Sequence, residues 1–199
     1  MIGVRTFDAV LCDLDGVLRW WDPAIMHDAE RHGGLPKGAL AGAAFAPERL
    51  KPAITGAQTD EQWRQAITAD LAVLCGVETA RAVVAQWSAP VGDLVDEVAE
   101  LLADLRVPVV LVSNATTRLE SDLAELGVLD LFDAVVNSSS VGAAKPDPRI
   151  YQFAAERAGA DVDRCLFIDD TLENVAAASH LGMIGVHYQD PDQLRAALG

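Results

Sequence analysis

Val10-Leu11-Cys12-Asp13-Leu14-Asp15-Gly16-Val17-Leu18 is a short apolar run that leads into two aspartates and a glycine. Such a run predicts a buried strand, and aspartates two positions apart on a strand point to the same face. Two carboxylates that face the same way repel each other unless a cation or a proton lies between them. The pair is therefore a candidate metal and catalytic site. Two solvated aspartates in a turn would give the same residues, and the stretch alone favours neither interpretation.

The composition is that of a globular protein. The 199 residues are 51% hydrophobic, which is enough to bury a core as one domain or as one domain with an insertion. No apolar run approaches the roughly 20 residues that cross a bilayer. Residues 1–6 lead directly toward the first strand, without the regions of a signal peptide. These features predict a cytoplasmic protein.

The charge balance limits the partners. The net charge is −15, from 30 acidic and 15 basic residues, so neither nucleic acid nor an anionic membrane is expected to bind. A small anionic substrate remains compatible, because a local metal ion reverses the field inside a pocket. Cys12, Cys75 and Cys165 are far apart and form no C-x-x-C pair, which predicts reduced thiols and no zinc site.

Short apolar runs alternate with helical patterns from about residue 91 to the end of the chain. The runs are apolar throughout, as is typical of parallel strands covered on both faces. This alternation predicts an α/β fold, a three-layer Rossmann-like parallel sheet between helices. A helical stripe is expected to begin near Asp93 and to include Leu94.

Residues 19–90 interrupt the alternation. They contain many turn residues, a helix that begins at Thr59 or Asp60, carries Trp63 to Leu74 at helical spacing and ends at Gly76, and a shorter helix after it. No strand is expected between 19 and 90. The sequence therefore predicts a core formed by residues 1–18 and 91–199, with a small helical insertion at 19–90.

Polar groups follow four of the predicted apolar runs, at or just beyond the point where each ends. They are Asp13 and Asp15, Ser113 and Asn114, Lys145, and Asp169 and Asp170. In a parallel sheet the carboxyl ends of all strands lie at one edge, where open α/β folds bind ligands. A chance turn composition does not explain this placement, and a functional site becomes the favoured interpretation.

The residue types indicate phosphoryl chemistry. Several carboxylates without histidine or cysteine suit a hard cation, and Mg²⁺ fits best. A carboxylate is ionised at neutral pH and can attack phosphorus to form an aspartyl-phosphate. Lysine and Mg²⁺ supply positive charge for the transferred group, while serine, asparagine and backbone N–H groups hold its oxygens.

In this order the residues resemble the four motifs of the haloacid dehalogenase (HAD) superfamily. The matching stretches are Asp13-Leu14-Asp15-Gly16-Val17-Leu18, Ser113-Asn114, Lys145-Pro146-Asp147-Pro148 and Phe167-Ile168-Asp169-Asp170. The resemblance implies that Asp13 is the nucleophile and that Asp15 is the general acid and later the base. It also implies a helical cap at 19–90, similar to cap type 1 and to the sugar-phosphatase and epoxide-hydrolase N-terminal phosphatase branch.

The same resemblance implies roles for the other motif residues. Ser113 would bind the phosphoryl group with support from Asn114, and Lys145 would neutralise charge between nucleophile and phosphate. Asp170 would be the direct Mg²⁺ ligand of its pair, with Asp169 acting through water or a hydrogen bond. Asp13 and the backbone carbonyl of Asp15 would complete the metal shell.

Asp15 separates the branches of the superfamily, because its dehalogenases lack an acid/base aspartate at this position and have no leaving-group oxygen to protonate. The expected function is hydrolysis of a small phosphorylated metabolite. A phosphomutase, a dehalogenase-type hydrolase and a non-catalytic binding module are the alternatives. Neither the substrate nor the oligomeric state follows from the sequence.

Several neighbouring residues carry secondary expectations. Trp20 and Trp21 either wall the substrate pocket or pack the connection between cap and core. Arg118 either contacts the substrate or lies on a solvated face, and the solvated face is the favoured interpretation. Ser138-Ser139-Ser140 is expected in a loop. Asp147 and Asn174 are expected to orient Lys145 and the metal ligands.

Overall fold

The computed structural model describes residues 7–199. Its strands are β1 (Ala9–Cys12), β2 (Arg19–Trp20), β3 (Asp93–Leu94), β4 (Val109–Ser113), β5 (Ala134–Asn137), β6 (Cys165–Asp169) and β7 (Ile184–His187). Five of them form one parallel sheet in the order β5-β4-β1-β6-β7, with β1 at its centre. Strand order reverses beside β1, which is the position where open α/β sheets bind ligands.

Eleven α-helices are present in the described residues. They are α1 (Ala24–His32), α2 (Ala39–Phe45), α3 (Pro47–Ile54), α4 (Asp60–Cys75), α5 (Val77–Ser88), α6 (Asp96–Ala103), α7 (Leu119–Leu126), α8 (Ser138–Val141), α9 (Pro148–Ala158), α10 (Leu172–His180) and α11 (Pro191–Leu198). Short 3₁₀ turns at Leu129–Leu131 and Val162–Arg164 precede β5 and β6.

The sheet separates two hydrophobic cores. Successive residues of β1 face opposite sides, so Val10 packs with residues of α6, α7 and α11, while Leu11 packs with residues of α9 and α10. All four residues of β1 are fully buried, which explains why its sequence is apolar throughout. The predicted three-layer α/β fold is confirmed.

Helices α1 to α5 pack around a third cluster of their own. Trp63, Ile67 and Leu71 of α4 supply its centre. Leu74, expected on the same stripe, is 60% exposed because it lies in the last turn, beyond the cluster. Thr59 caps α4 and exchanges hydrogen bonds with Gln62, which settles which residue begins the helix.

Two chain connections join this helical segment to the sheet, and they differ from the sequence prediction. Arg19–Trp20 pairs antiparallel with Asp93–Leu94, so a strand exists where none was expected, and Leu94 belongs to it rather than to a helix. Helix α6 begins only at Asp96. A strand of two residues is too short to show a periodicity, so the sequence could not predict this pairing.

None of the helices in residues 7–199 is long and apolar enough to cross a membrane.

Candidate active site

Side chains from several strand ends meet at one edge of the sheet. Asp13 directly follows β1, Ser113 is the last residue of β4, and Asp169 is the last residue of β6. Lys145 comes from the loop between α8 and α9, which follows β5. Because the strands are parallel, these residues come together although more than 150 positions separate Asp13 from Asp169.

The centre of the site is one lysine between two carboxylates. Lys145 Nζ lies 2.7 Å from Asp13 Oδ1 and 2.7 Å from Asp169 Oδ2. The residues are 5%, 7% and 0% exposed, respectively. Burying three charges is costly unless each is paired, and here the ammonium pairs with both carboxylates.

Burial shifts the pKa values of Asp13 and Lys145 in opposite directions. Burial raises the pKa of Asp13, and the neighbouring ammonium of Lys145 opposes that rise. For Lys145 burial lowers the pKa, but Asp13 and Asp169 together outweigh it and hold the pKa above its ordinary value. Lys145 is therefore a fixed positive charge beside Asp13.

Two asparagines hold the lysine and its partner in place. Asn174 Nδ2 donates to both oxygens of Asp169 at 3.1 Å. Asn114 accepts from the backbone N–H of Lys145 at 2.7 Å and donates to its carbonyl at 2.9 Å. The expectation for Asn174 agrees with these contacts. The expectation for Asp147 is wrong, because this side chain caps α9 and pairs with the exposed Arg149.

Three carboxylates form a group that fits a metal ion. Asp13, Asp169 and Asp170 each offer an oxygen, and these oxygens lie within 4.8 Å of one another. Carboxylate oxygens are the donors that hard divalent cations prefer. Asp169 is already bound by Lys145 and Asn174, whereas Asp170 is exposed. The side chain of Asp15 does not belong to this group.

A cavity of about 340 Å³ opens beside the lysine. Its wall includes the sequence-predicted site residues Asp13, Asp15, Ser113, Asn114, Lys145 and Asp170, together with Gly16, Thr171 and Asn174. Only Asp169 of the predicted set lies behind the wall, fully buried. The arrangement offers a carboxylate, a cation and a hydroxyl to a group in the cavity.

Asp15 is held on the side of the site that faces the inserted helices. Arg19 Nε and Nη2 donate to its two oxygens at 2.7 and 3.0 Å. Trp21 Nε1 donates to Oδ1 at 2.7 Å. Sequence reasoning missed Arg19, although its position four residues after Asp15 and just past a Gly-containing turn was visible.

A buried ion network continues from Arg19 toward the helical segment. Arg19 Nη1 lies 3.4 Å from Asp122, and Arg118 Nε donates to the same carboxylate at 2.7 Å. Arg118 also donates to the carbonyls of Ser88 and Pro90 at the end of the inserted segment. The expectation that Arg118 lies on a solvated face is therefore wrong, since a helix-start position does not reveal a contact with residues 30 positions away.

Ser138 supports the loop that follows Ser113 and Asn114. Its hydroxyl accepts from the backbone N–H of Ala115 at 3.0 Å and lies 3.3 Å from the Ala115 carbonyl. The predicted loop at Ser138-Ser139-Ser140 is a short helix capped by Asn137. Three consecutive serines are typical of a loop. Only the tertiary contact to Ala115 distinguishes the short helix from a loop.

The two tryptophans after β1 take different positions. Trp20 belongs to β2 and pairs with Asp93 across the connection between sheet and helical segment. Trp21 contacts Asp15 and lines a second, larger cavity between that segment and the sheet. Trp20 therefore lies in the connection between the sheet and the helical segment, whereas Trp21 lies in the wall of a cavity beside the candidate site.

Curated relatives match segments of the chain. A phosphatase of Mycobacterium tuberculosis is 43% identical over 75 residues, which are 37% of this chain and 35% of the relative. A sesquiterpene phosphatase of Aspergillus oryzae is 39% identical over 61 residues, or 31% of each chain. The chain thus covers about a third of the length of these relatives.

Solved structures share the fold over most of the chain. A HAD family enzyme of Bacteroides thetaiotaomicron, in a magnesium complex, superposes with a TM-score of 0.72 at 24% identity, covering 89% of this chain and 91% of that one. A dehalogenase superposes with a TM-score of 0.69 at 22% identity, covering 90% and 84%. The family model of the haloacid dehalogenase-like hydrolases matches residues 7–182. The chain therefore belongs to the haloacid dehalogenase-like hydrolase family.

Proposed function

We propose that this hydrolase is a Mg²⁺-dependent phosphatase that transfers the phosphoryl group of a small phosphomonoester to Asp13 and then to water. One observation carries the proposal. The Asp13 carboxylate faces a cavity at the strand edge, 2.7 Å from the buried ammonium of Lys145 and beside the carboxylates of Asp169 and Asp170. A nucleophile, a fixed cation and metal ligands thus surround one small volume.

In the first step an Asp13 oxygen forms a bond to phosphorus while the bond from phosphorus to the ester oxygen breaks. Lys145 offsets the negative charge that Asp13 and the phosphoryl oxygens bring together. Ser113 and Asn114, which line the same cavity, bind phosphoryl oxygens. Asp15 gives a proton to the departing ester oxygen, so that an alcohol leaves.

In the second step water attacks phosphorus, its proton passes to Asp15, and the bond between Asp13 and phosphorus breaks to release inorganic phosphate. In this structure both Asp15 oxygens accept hydrogen bonds from Arg19. The first step needs Asp15 to carry that proton. We therefore expect a bound substrate to weaken the contact between Asp15 and Arg19.

Asp13, Asp169 and Asp170 would hold the Mg²⁺ ion, with Asp169 tied to Lys145 and Asp170 exposed in the cavity wall. When bound, the ion supplies positive charge to the phosphoryl oxygens. The free thiols of the buried Cys12 and Cys165 suit the reducing cytoplasm expected from the sequence.

The test is turnover of p-nitrophenyl phosphate by the purified protein, with inorganic phosphate measured as well as the phenolate. We expect turnover with Mg²⁺, loss of turnover in EDTA, and loss of at least a thousand-fold in Asp13→Asn. Asp147→Asn, which alters a half-buried aspartate outside the cavity, is the matched control and should keep wild-type turnover. Wild-type turnover by Asp13→Asn would refute the mechanism.

Two further assays separate the alternatives. Release of inorganic phosphate distinguishes hydrolysis from transfer of the phosphoryl group to another position of the product. Release of chloride from 2-chloropropionate would indicate dehalogenase chemistry, which we do not expect, because Asp15 would have no leaving-group oxygen to protonate.

A further inference from the structure

A second cavity, of about 500 Å³, adjoins the candidate active site and lies between the sheet and helices α1 to α5. We call it the apolar chamber. Most of its wall is hydrocarbon, and its principal apolar residues are Trp21, Met26, Phe45, Ile54, Trp63 and Trp87. The chamber and the small cavity share Asp15 and Asn114. The two cavities therefore meet at these two residues.

Three aromatic rings form one side of the apolar chamber. The ring centroids of Trp63 and Trp87 are 5.6 Å apart, and that of Phe45 lies 6.5 and 6.2 Å from them. The indole N–H of Trp63 donates to the carbonyl of Ala44, and that of Trp21 donates to Asp15. Since these two indole N–H groups already have partners, Trp21 and Trp63 offer apolar surface to a ligand.

The three arginines of the wall are paired with carboxylates. Arg64 lies 2.5 Å from Asp60, whose other oxygen accepts from Thr116 at 2.8 Å. Arg118 pairs with Asp122, and Arg19 pairs with Asp15 and Asp122. Every arginine in the wall thus has a carboxylate partner among the described residues. A second phosphate or a sugar would have to compete with these contacts, because breaking a buried pair is costly.

We infer that the substrate is the monophosphate of an apolar alcohol, with the phosphate in the small cavity and the hydrocarbon in the apolar chamber. The inference rests on the proposed phosphatase function. Asp15 lies where the two cavities meet, which is where the ester oxygen between phosphate and hydrocarbon would lie. A volume of about 500 Å³ accommodates roughly fifteen groups the size of water at about 30 Å³ each, so an alcohol of up to about fifteen carbons fits.

The first experiment measures kcat/KM for a series of straight-chain alkyl monophosphates, from methyl to hexadecyl, at concentrations below micelle formation. Each methylene that enters an apolar cavity contributes at most about 0.8 kcal/mol, or about four-fold. We expect kcat/KM to rise two- to four-fold per carbon and to level off near fifteen carbons. Octyl diphosphate and glucose 6-phosphate should be poorer substrates than octyl monophosphate by at least ten-fold.

The second experiment alters the wall without touching the residues that surround phosphorus. Phe45 is 49% exposed and its ring contacts those of Trp63 and Trp87, so Phe45→Ala should lower the melting temperature by only about 2–4 °C. We expect it to raise KM for dodecyl phosphate about ten-fold and to leave methyl phosphate unaffected. Leu74→Ala is the matched control, because Leu74 is an exposed apolar residue of the same helical segment outside the chamber. Met26→Gln, a second wall variant, should act in the same direction as Phe45→Ala.

A binding measurement keeps this inference separate from the proposed function. Decylphosphonate should shift the tryptophan emission of the wild-type protein to shorter wavelength, since Trp21, Trp63 and Trp87 line the chamber, and methylphosphonate should not. If no phosphomonoester is hydrolysed but decylphosphonate binds, the phosphatase proposal fails and the apolar chamber stands. If short and polar phosphomonoesters are hydrolysed as fast as dodecyl phosphate, the phosphatase proposal stands and the apolar substrate is refuted.

Discussion

Gly16 lies so close to Asp170 that a Cβ atom at position 16 would overlap the Asp170 carboxylate. A Cβ atom built on Gly16 would lie 2.1 Å from Asp170 Oδ2. Gly16 also has φ +81°, in the left-handed region that side chains disfavour. Asp170 belongs to the acidic group proposed to hold Mg²⁺. Because Gly16 has no side chain, it leaves room for the carboxylate of Asp170, the residue that follows β6.

Gly16→Ala should therefore impair metal binding more than it impairs folding. The methyl group must displace Asp170, so we expect the Mg²⁺ concentration for half-maximal turnover to rise at least ten-fold. The measurement is a Mg²⁺ titration of p-nitrophenyl phosphate turnover.

Gly127→Ala is the matched control. Gly127 has φ +72°, but a Cβ atom placed on it would meet no other atom within 4 Å, and it ends α7, away from the acidic group. This variant should lose about 1–2 kcal/mol of stability from the backbone conformation alone and keep its Mg²⁺ dependence. Equal Mg²⁺ dependence in both variants would contradict the steric explanation.

Lys145 is expected to stabilise the fold as well as serve the reaction. In Lys145→Met the carboxylates of Asp13 and Asp169 lose the cation that lies 2.7 Å from each. Removing one partner of a buried ion pair costs about 3–5 kcal/mol. Urea unfolding at pH 8 in EDTA should show a loss of this size, and Mg²⁺ should restore part of it because the ion replaces the missing charge.

Lys51→Met provides the comparison for that experiment. Lys51 is exposed on α3, so its replacement should change stability by less than about 0.5 kcal/mol with or without Mg²⁺. A Lys145→Met variant as stable as Lys51→Met in EDTA would show that the carboxylates do not need the lysine.

The sequence predicts the elements of this protein that carry a regular pattern of apolar residues over several positions. Apolar runs such as residues 107–112 predict the parallel sheet, because a strand covered on both faces has no polar position in its interior. Because parallel strands end at one edge of the sheet, the sequence also places the polar residues that follow them together, and Asp13 and Lys145 do lie together there.

Contacts between residues distant in sequence were not predictable in this way. Arg19 pairs with Asp122 across 103 positions, and Arg118 reaches the carbonyl of Ser88. The periodicity of apolar residues in the sequence does not indicate such contacts. The serine run at 138–140 shows the same limit, since the contact between Ser138 and Ala115 distinguishes a buried helix start from a loop.

Trp21 is expected to position Asp15. Trp21→Phe keeps an aromatic ring but removes the hydrogen bond of 2.7 Å to Asp15 Oδ1. A hydrogen bond to a charged group contributes about 1.5–3 kcal/mol, so kcat should fall about ten-fold or more while the Mg²⁺ dependence stays unchanged. The pH profile of kcat should also move, which a purely structural role would not cause.

Trp20→Phe is the control for this prediction. Trp20 lies one residue earlier, is exposed, and pairs through its backbone with Asp93. Its replacement should leave both kcat and the pH profile as in the wild type. An unchanged pH profile in Trp21→Phe would exclude the positioning role.

The two carboxylates Asp13 and Asp147 should affect stability with opposite pH dependence. Burial raises the pKa of Asp13 to about 7, above about 3.9 in the unfolded chain. Its contribution to stability is therefore complete below about pH 4 and is lost as pH rises through about 7. Asn is neutral throughout, so in EDTA the stability advantage of Asp13→Asn over the wild type should grow from pH 4 to pH 8. Hydrogen bonds from Arg149 lower the pKa of Asp147 to about 2, so Asp147→Asn should instead lose a little stability above pH 4, and this loss should disappear as pH falls through about 2. Urea unfolding across this pH range measures both, and an Asp13→Asn curve parallel to the wild type would mean that metal-free Asp13 does not resist ionisation.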